Sequence, residues 1–181
     1  MLSQVAGAEG SVRPRADTGA RRLTGAERHR RNLGNAMLID LISAPSAEAE
    51  AILTTSGHEA VWPTLVAKTV DQIKLASLAF LLSGKDLSDV MVVEYSESFV
   101  PLATGGDDGP WVYLVPPDLV ASLVDMQDDR IDHFAQAWAL TEELQLDRWS
   151  VADASAFLRE LKRFAIETCE SKRELLLWVC L

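Results

Sequence analysis

Two adjacent carboxylates, Asp107 and Asp108, stand in the glycine-flanked stretch GGDDGP between Gly105 and Pro110. Carboxylate oxygens are the ligands that hard cations prefer, so the pair could hold a divalent ion. Together with Glu94 and Glu97 upstream, it could also do acid–base work, provided that burial drives the pKa values of the partners apart. Against the metal, the alternating oxygen ligands of a calcium loop are missing, and Asp-Gly is the usual chemistry of a tight hairpin. The sequence therefore predicts a turn here and no metal site. An enzyme with a carboxylate-based site near residues 94–108 stands as the alternative reading of the chain.

Nucleophilic chemistry finds less to work with. After Met37 the histidines are His58 and His133. His133 follows Asp132 on the polar edge of a helical pattern and reads as a solvated side chain. His58, with Glu59, follows a predicted helix end, where the helix dipole favours a partly charged ring. Ser96, Ser98 and Cys169 have no base that spacing assigns to them, and an activated nucleophile needs one within hydrogen-bond reach. Cys169 and Cys180 fit neither a disulfide framework nor a metal knuckle, and both read as small buried hydrophobes. No H-E-x-x-H, G-x-S-x-G or P-loop pattern occurs. No catalytic residue and no cofactor are predicted.

Residues suited to recognition are more plentiful. Asp125, Asp128, Asp129 and Asp132 cluster about the start of one predicted helix. Capping and dipole complementarity account for two of them; as a set they could steer and dock a cationic protein. Of the five tryptophans, Trp111, Trp138 and Trp178 lie on predicted elements and belong in the core. Trp62 and Trp149 lie at loop-to-helix joints, where an indole either seals a core edge or anchors a partner.

Charge sets the kind of partner. Residues 1–36 carry seven arginines against Glu9, Asp17 and Glu27, a net of +4, whereas the rest holds ten basic and 24 acidic residues, a net of −14. Such a body repels nucleic-acid backbones and anionic membranes and favours basic proteins. The basic arm, 1–36, is too polar to offset the entropy of ordering it. It is expected to be disordered, with Met37 as the expected functional start. No secretory leader or membrane span is visible, and the two cysteines suit a reducing cytoplasm.

The positioning elements follow from periodicity and caps. MLIDLIS, from Met37, reads as a strand ending at Pro45, and Ser46 as the N-cap of a helix closed by Gly57. A Thr69/Gln72 capping box opens an amphipathic helix that stops at Gly84. DVMVVEYSESFVPL has strand composition, WVYLV is a short strand cut off by Pro116 and Pro117, and Pro117 starts a helix. Asp128 or Asp129 caps the next helix, and Ser150 with Asp153 boxes the last. The closing ELLLWVCL is apolar on both faces, as a central strand must be. The result is an α+β fold over 37–181, one domain, with a small mixed sheet, about five helices and a buried C-terminal strand.

VDQIKLASLAFLLSG, Val70 to Gly84, and the closing FLRELKRFAIETCESKRELLLWVCL resemble the YfbM-like family of small bacterial proteins. That family pairs a Gly-ended amphipathic helix with a long last helix followed by a hydrophobic strand. The resemblance implies an α+β cytoplasmic protein that starts near Met37, and it transfers no catalytic residue. The expected function is a non-enzymatic protein-binding module, of immunity or adaptor type, for a basic partner.

Overall fold

The computed structural model describes residues 37–85 and 89–181. The expectations for 1–36, disorder and a start at Met37, lie outside the described residues.

Strand β5, Glu174–Cys180, occupies the middle of a five-stranded sheet of order β2-β1-β5-β4-β3. On one side it pairs with β1, Leu38–Ala44, from Leu38↔Cys180 to Ala44↔Glu174. On the other it pairs with β4, Trp111–Leu114, from Trp111↔Val179 to Leu114↔Leu176. The short β2, Thr64–Val66, and β3, Val100–Thr104, form the two edges. Leu175, Leu177 and Val179 point to one face of the sheet and Leu176 and Trp178 to the other. Both faces are covered, which explains the unbroken apolar run. Burying a leucine such as Leu176 or Leu177, both fully enclosed, contributes roughly 2–3 kcal/mol each.

All pairings are antiparallel, where a mixed sheet was expected. The reason is the path between strands. The chain leaves β4 at Leu114 and, after its helices, re-joins it beside Leu176; likewise it leaves β1 near Ile42 and returns opposite at Thr64. An excursion that comes back to the end it left produces an antiparallel neighbour, whereas a parallel one needs a crossover.

The larger core lies between one face and helices α2 (Gln72–Ser83), α4 (Pro117–Asp125), α5 (Ile131–Ala139) and α7 (Val151–Glu170). On α7 the predicted Ser150–Asp153 capping box is present, and Ala154, Phe157, Leu158, Leu161, Phe164 and Ala165 are buried. Gly84 ends α2 in the left-handed region at φ 68°, with Lys85 N–H donating to the Phe80 carbonyl and Gly84 N–H to Leu81, the double bond of a Schellman ending. A smaller core on the opposite face gathers Ile42, Leu176 and Val112 under α1, Ala49–Thr54, and Trp62.

Several local expectations change. The N-cap of α2 is Asp71, whose carboxylate accepts from Lys74 N–H; Thr69 instead accepts from the Trp149 indole. Ser46 does not cap α1 but opens a 3-10 turn, Ser46–Glu48, its N–H donating to Glu174 Oε2 at 2.7 Å. Asp128 and Asp129 likewise lie in a 3-10 turn, Asp128–Arg130, and cap nothing with their side chains. The stretch read as a strand forms α3, Asp89–Ser96, before β3 begins. Its β-branched residues carry strand composition, but Val92 and Tyr95 fall at helical spacing and pack on Ala76 and Phe80 of α2, and tertiary burial overrides propensity. With α3 and the short α6, Glu142–Leu146, the described residues hold seven α-helices rather than about five. Among them no helix is long and apolar enough to cross a membrane.

Candidate functional site

His58 shows first what the fold does with its titratable groups. It opens a 3-10 turn, His58–Ala60, which presses the ring onto the smaller core until it is 2% exposed. Nδ1 lies 2.9 Å from Asp40 Oδ2 on β1, and Nε2 lies 3.2 Å from the Ile52 carbonyl. A carbonyl only accepts, so Nε2 carries its hydrogen. The ring also meets Trp178 edge-on at 4.7 Å. Both nitrogens are engaged, which leaves neither to take a proton from a nucleophile. His58, expected after a helix end, is thus a buried pin between β1 and Ile52. The signal in the sequence was Asp40, a carboxylate in an otherwise apolar strand that had to find a partner.

The predicted aspartates divide. Asp132 accepts from Arg159 at 2.7 Å and from Ser155 at 2.5 Å, and Asp128 pairs with Lys162. The Ser155 hydroxyl, then Arg159, hold Asp132 below the ordinary carboxylate range, and Lys162 does the same for Asp128. These two residues thus tie the start of α5 to α7, and Asp128 with Lys162 lines a groove of about 480 Å³ that Ile131, Arg163 and Ile166 also line. Asp125 and Asp129 stay exposed outside these pairs.

The two tryptophans are not free anchors. Trp62 is 9% exposed and donates its indole hydrogen to Glu48 in the smaller core. Trp149 packs on the larger core against Phe157 at 5.5 Å and Trp138 at 6.3 Å, with Lys68 over its ring. Each closes a different core on a different side of the sheet. The proposed set of Trp62, Trp149, Asp125, Asp128, Asp129 and Asp132 therefore does not converge on one surface.

A group that the sequence reading missed lies next to Trp149. Lys74 is buried on α2, with Nζ 3.0 Å from Asp147 and 3.6 Å from Asp71. Burial draws the Asp147 carboxyl upward, but hydrogen bonds from Thr69 and Lys74 outweigh it and leave the group below its usual range. The Lys74 carbonyl accepts from the Trp138 indole at 3.0 Å. Lys74 is a staple between α2 and the α6–α7 joint. Asp71 is a local partner, but Asp147 and Trp138, which make Lys74 a link between elements, lie more than sixty positions away.

The middle carboxylates are separated by β3. Glu94 and Glu97 precede that strand, whereas Asp107 and Asp108 form the exposed tip of the β3–β4 hairpin beyond its other end. Five strand residues span roughly 16 Å, and all four groups are exposed, without the burial that would split their pKa values. The turn reading of GGDDGP is correct: Gly105 N–H donates to the Pro110 carbonyl at 2.7 Å, and a Cβ on Gly105 would meet Gly109 O at 2.8 Å. Among the described residues no group of three or more His, Cys, Asp or Glu is placed to hold a metal ion.

What the sequence does concentrate is sign. From residue 86 to residue 129 the chain carries ten carboxylates and no Lys, Arg or His. This stretch includes α3, the β3–β4 hairpin and α4. The cations gather elsewhere, with Arg159, Lys162 and Arg163 on α7 and Lys172 and Arg173 just after it. Tyr95 links α3 to α4 by donating to Asp118 Oδ1 at 3.0 Å; burial, then Asp118, raises its phenol well above the ordinary value. Compared with known proteins, the chain matches no family model, no curated protein and no solved structure.

Proposed function

We propose that the protein is a non-enzymatic binding module for a basic protein, of immunity or adaptor type, acting in the cytoplasm. The observation that carries this reading is the run of ten carboxylates between Lys85 and Arg130 without one intervening cation. Surface charge of one sign steers an oppositely charged partner and speeds encounter. The buried ionisable groups support it too, because His58 and Lys74 serve as fasteners between elements, Lys74 through Asp147. A cationic enzyme that must be masked, such as a nuclease toxin, is the kind of partner such a surface fits. The resemblance to the YfbM-like family belongs to the same proposal, resting on the Gly84-ended α2 and on α7 followed by β5.

Affinity capture of the full chain from its native host tests this reading, with washes at low and then high salt. A stoichiometric basic protein retained at low salt and released at high salt is the expected result. Failure to recover one at low salt overturns it.

A further inference from the structure

Helix α3 has two unlike sides. Val92, Tyr95 and Ser96, with Phe99 a turn further on, keep the spacing of one helical stripe. Val92 is 3% exposed, and Tyr95 meets Phe80 of α2 at 5.8 Å. Val90, Val93, Glu94 and Glu97 keep the same spacing on the other side, where Val90 is 69% and Val93 51% exposed. A β-branched residue loses side-chain freedom in a helix. Left in solvent, it gains no burial in return. Two valines one turn apart, followed by two glutamates, therefore make a poor free surface and a good docking ridge.

We propose that this side of α3 receives a cationic amphipathic helix of the partner protein. Val90 and Val93 take its apolar stripe, and Glu94 and Glu97 meet its basic flank. The proposal rests on the reading above and gives it a place and a shape. Charge selects the occupant. The stretch from 86 to 129 has no cation, and Glu94 and Glu97 lie exposed beside the two valines. A second copy of this chain would set Glu94 and Glu97 against like charge, and an anionic membrane or nucleic acid is repelled outright. A ridge at i, i+3, i+4 spacing fits the groove of another helix better than an extended strand.

The test uses the full chain and a labelled Leu/Lys peptide with its leucines on one helical face, beside a scrambled peptide of the same composition. The ordered peptide is expected to bind more tightly than the scrambled one. V90Q/V93Q should weaken it roughly tenfold, the scale of losing a small hot spot. E94Q/E97Q should weaken it at low salt and flatten its salt dependence. D107N/D108N, at the far end of β3, should weaken it far less than E94Q/E97Q does. Unaltered thermal midpoints show that the variants fold. Equal binding of both peptides, equal binding to V90Q/V93Q, or a V90-dependent self-association in place of peptide binding would each overturn the assignment of α3. If capture still yields a basic partner in that case, the error lies in the surface alone; if capture also fails, the functional reading falls with it.

Discussion

His58 and Asp40 meet at 2.9 Å, one from a turn and the other from the middle of β1, and the second nitrogen of the same ring is held by Ile52. The pair fastens the 45–63 excursion to the sheet. Removing one partner of a buried hydrogen-bonded pair leaves the other unsatisfied, a loss of about 1–3 kcal/mol. D40A and H58A should each lower urea stability by about that amount, and the double variant by far less than the sum. Additive losses would show that the two groups stabilise the fold independently.

Trp62 separates sealing from anchoring. It is buried and bonded to Glu48, so W62A should cost about 3–4 kcal/mol, as large core truncations do. W62F should lose about 1 kcal/mol with the hydrogen bond. Neither should alter affinity for a basic partner once measured on the folded fraction. A W62F variant that folds normally yet binds tenfold worse would restore the anchor reading.

Acid should loosen the protein through the carboxylates that have partners. Asp128, Asp132, Asp147 and Asp153 all have folded pKa values depressed below the ordinary one. Their contribution is therefore present above the unfolded value, near 4, and is lost as pH falls through the lower folded values. Denaturation midpoints should decline below about pH 4. D132N should be less stable than wild type at pH 7, and the gap should close on acidification. A gap that stays constant with pH would exclude Asp132 from the acid response.

At the hairpin tip the predicted effects are unequal. G105A forces a Cβ against Gly109 O and Pro110 Cδ, both at 2.8 Å, and should cost about 1–3 kcal/mol. D107N/D108N touches only exposed side chains and should stay within about 0.5 kcal/mol of wild type. Calcium or magnesium should not shift the midpoint of either protein. A metal-dependent rise that D107N/D108N abolishes would reinstate the cation site.

Elements whose signals are local were legible in the sequence. The Ser150–Asp153 box, the Gly84 ending and the doubly apolar β5 all depend on residues a few positions apart. What escaped depends on distant partners. The stretch of α3 looks like strand until Ala76 and Phe80 arrive to bury one of its stripes. His58, Lys74 and Asp132 each take a role from residues eighteen to seventy-three positions away. For the proposed interface, charge points to a basic partner, but the exposed side of α3 is visible only once its buried side is known.

The position of β5 has a consequence for assembly. It alone joins the β1–β2 ladder to the β3–β4 ladder, and a two-stranded ribbon on its own is marginal in water. During synthesis both ribbons must therefore wait, open-edged, until the residues from Glu174 onward leave the ribosome. A ribosome stalled just short of that point would hold two sticky half-sheets, the state in which this chain is most exposed to aggregation and most in need of a chaperone.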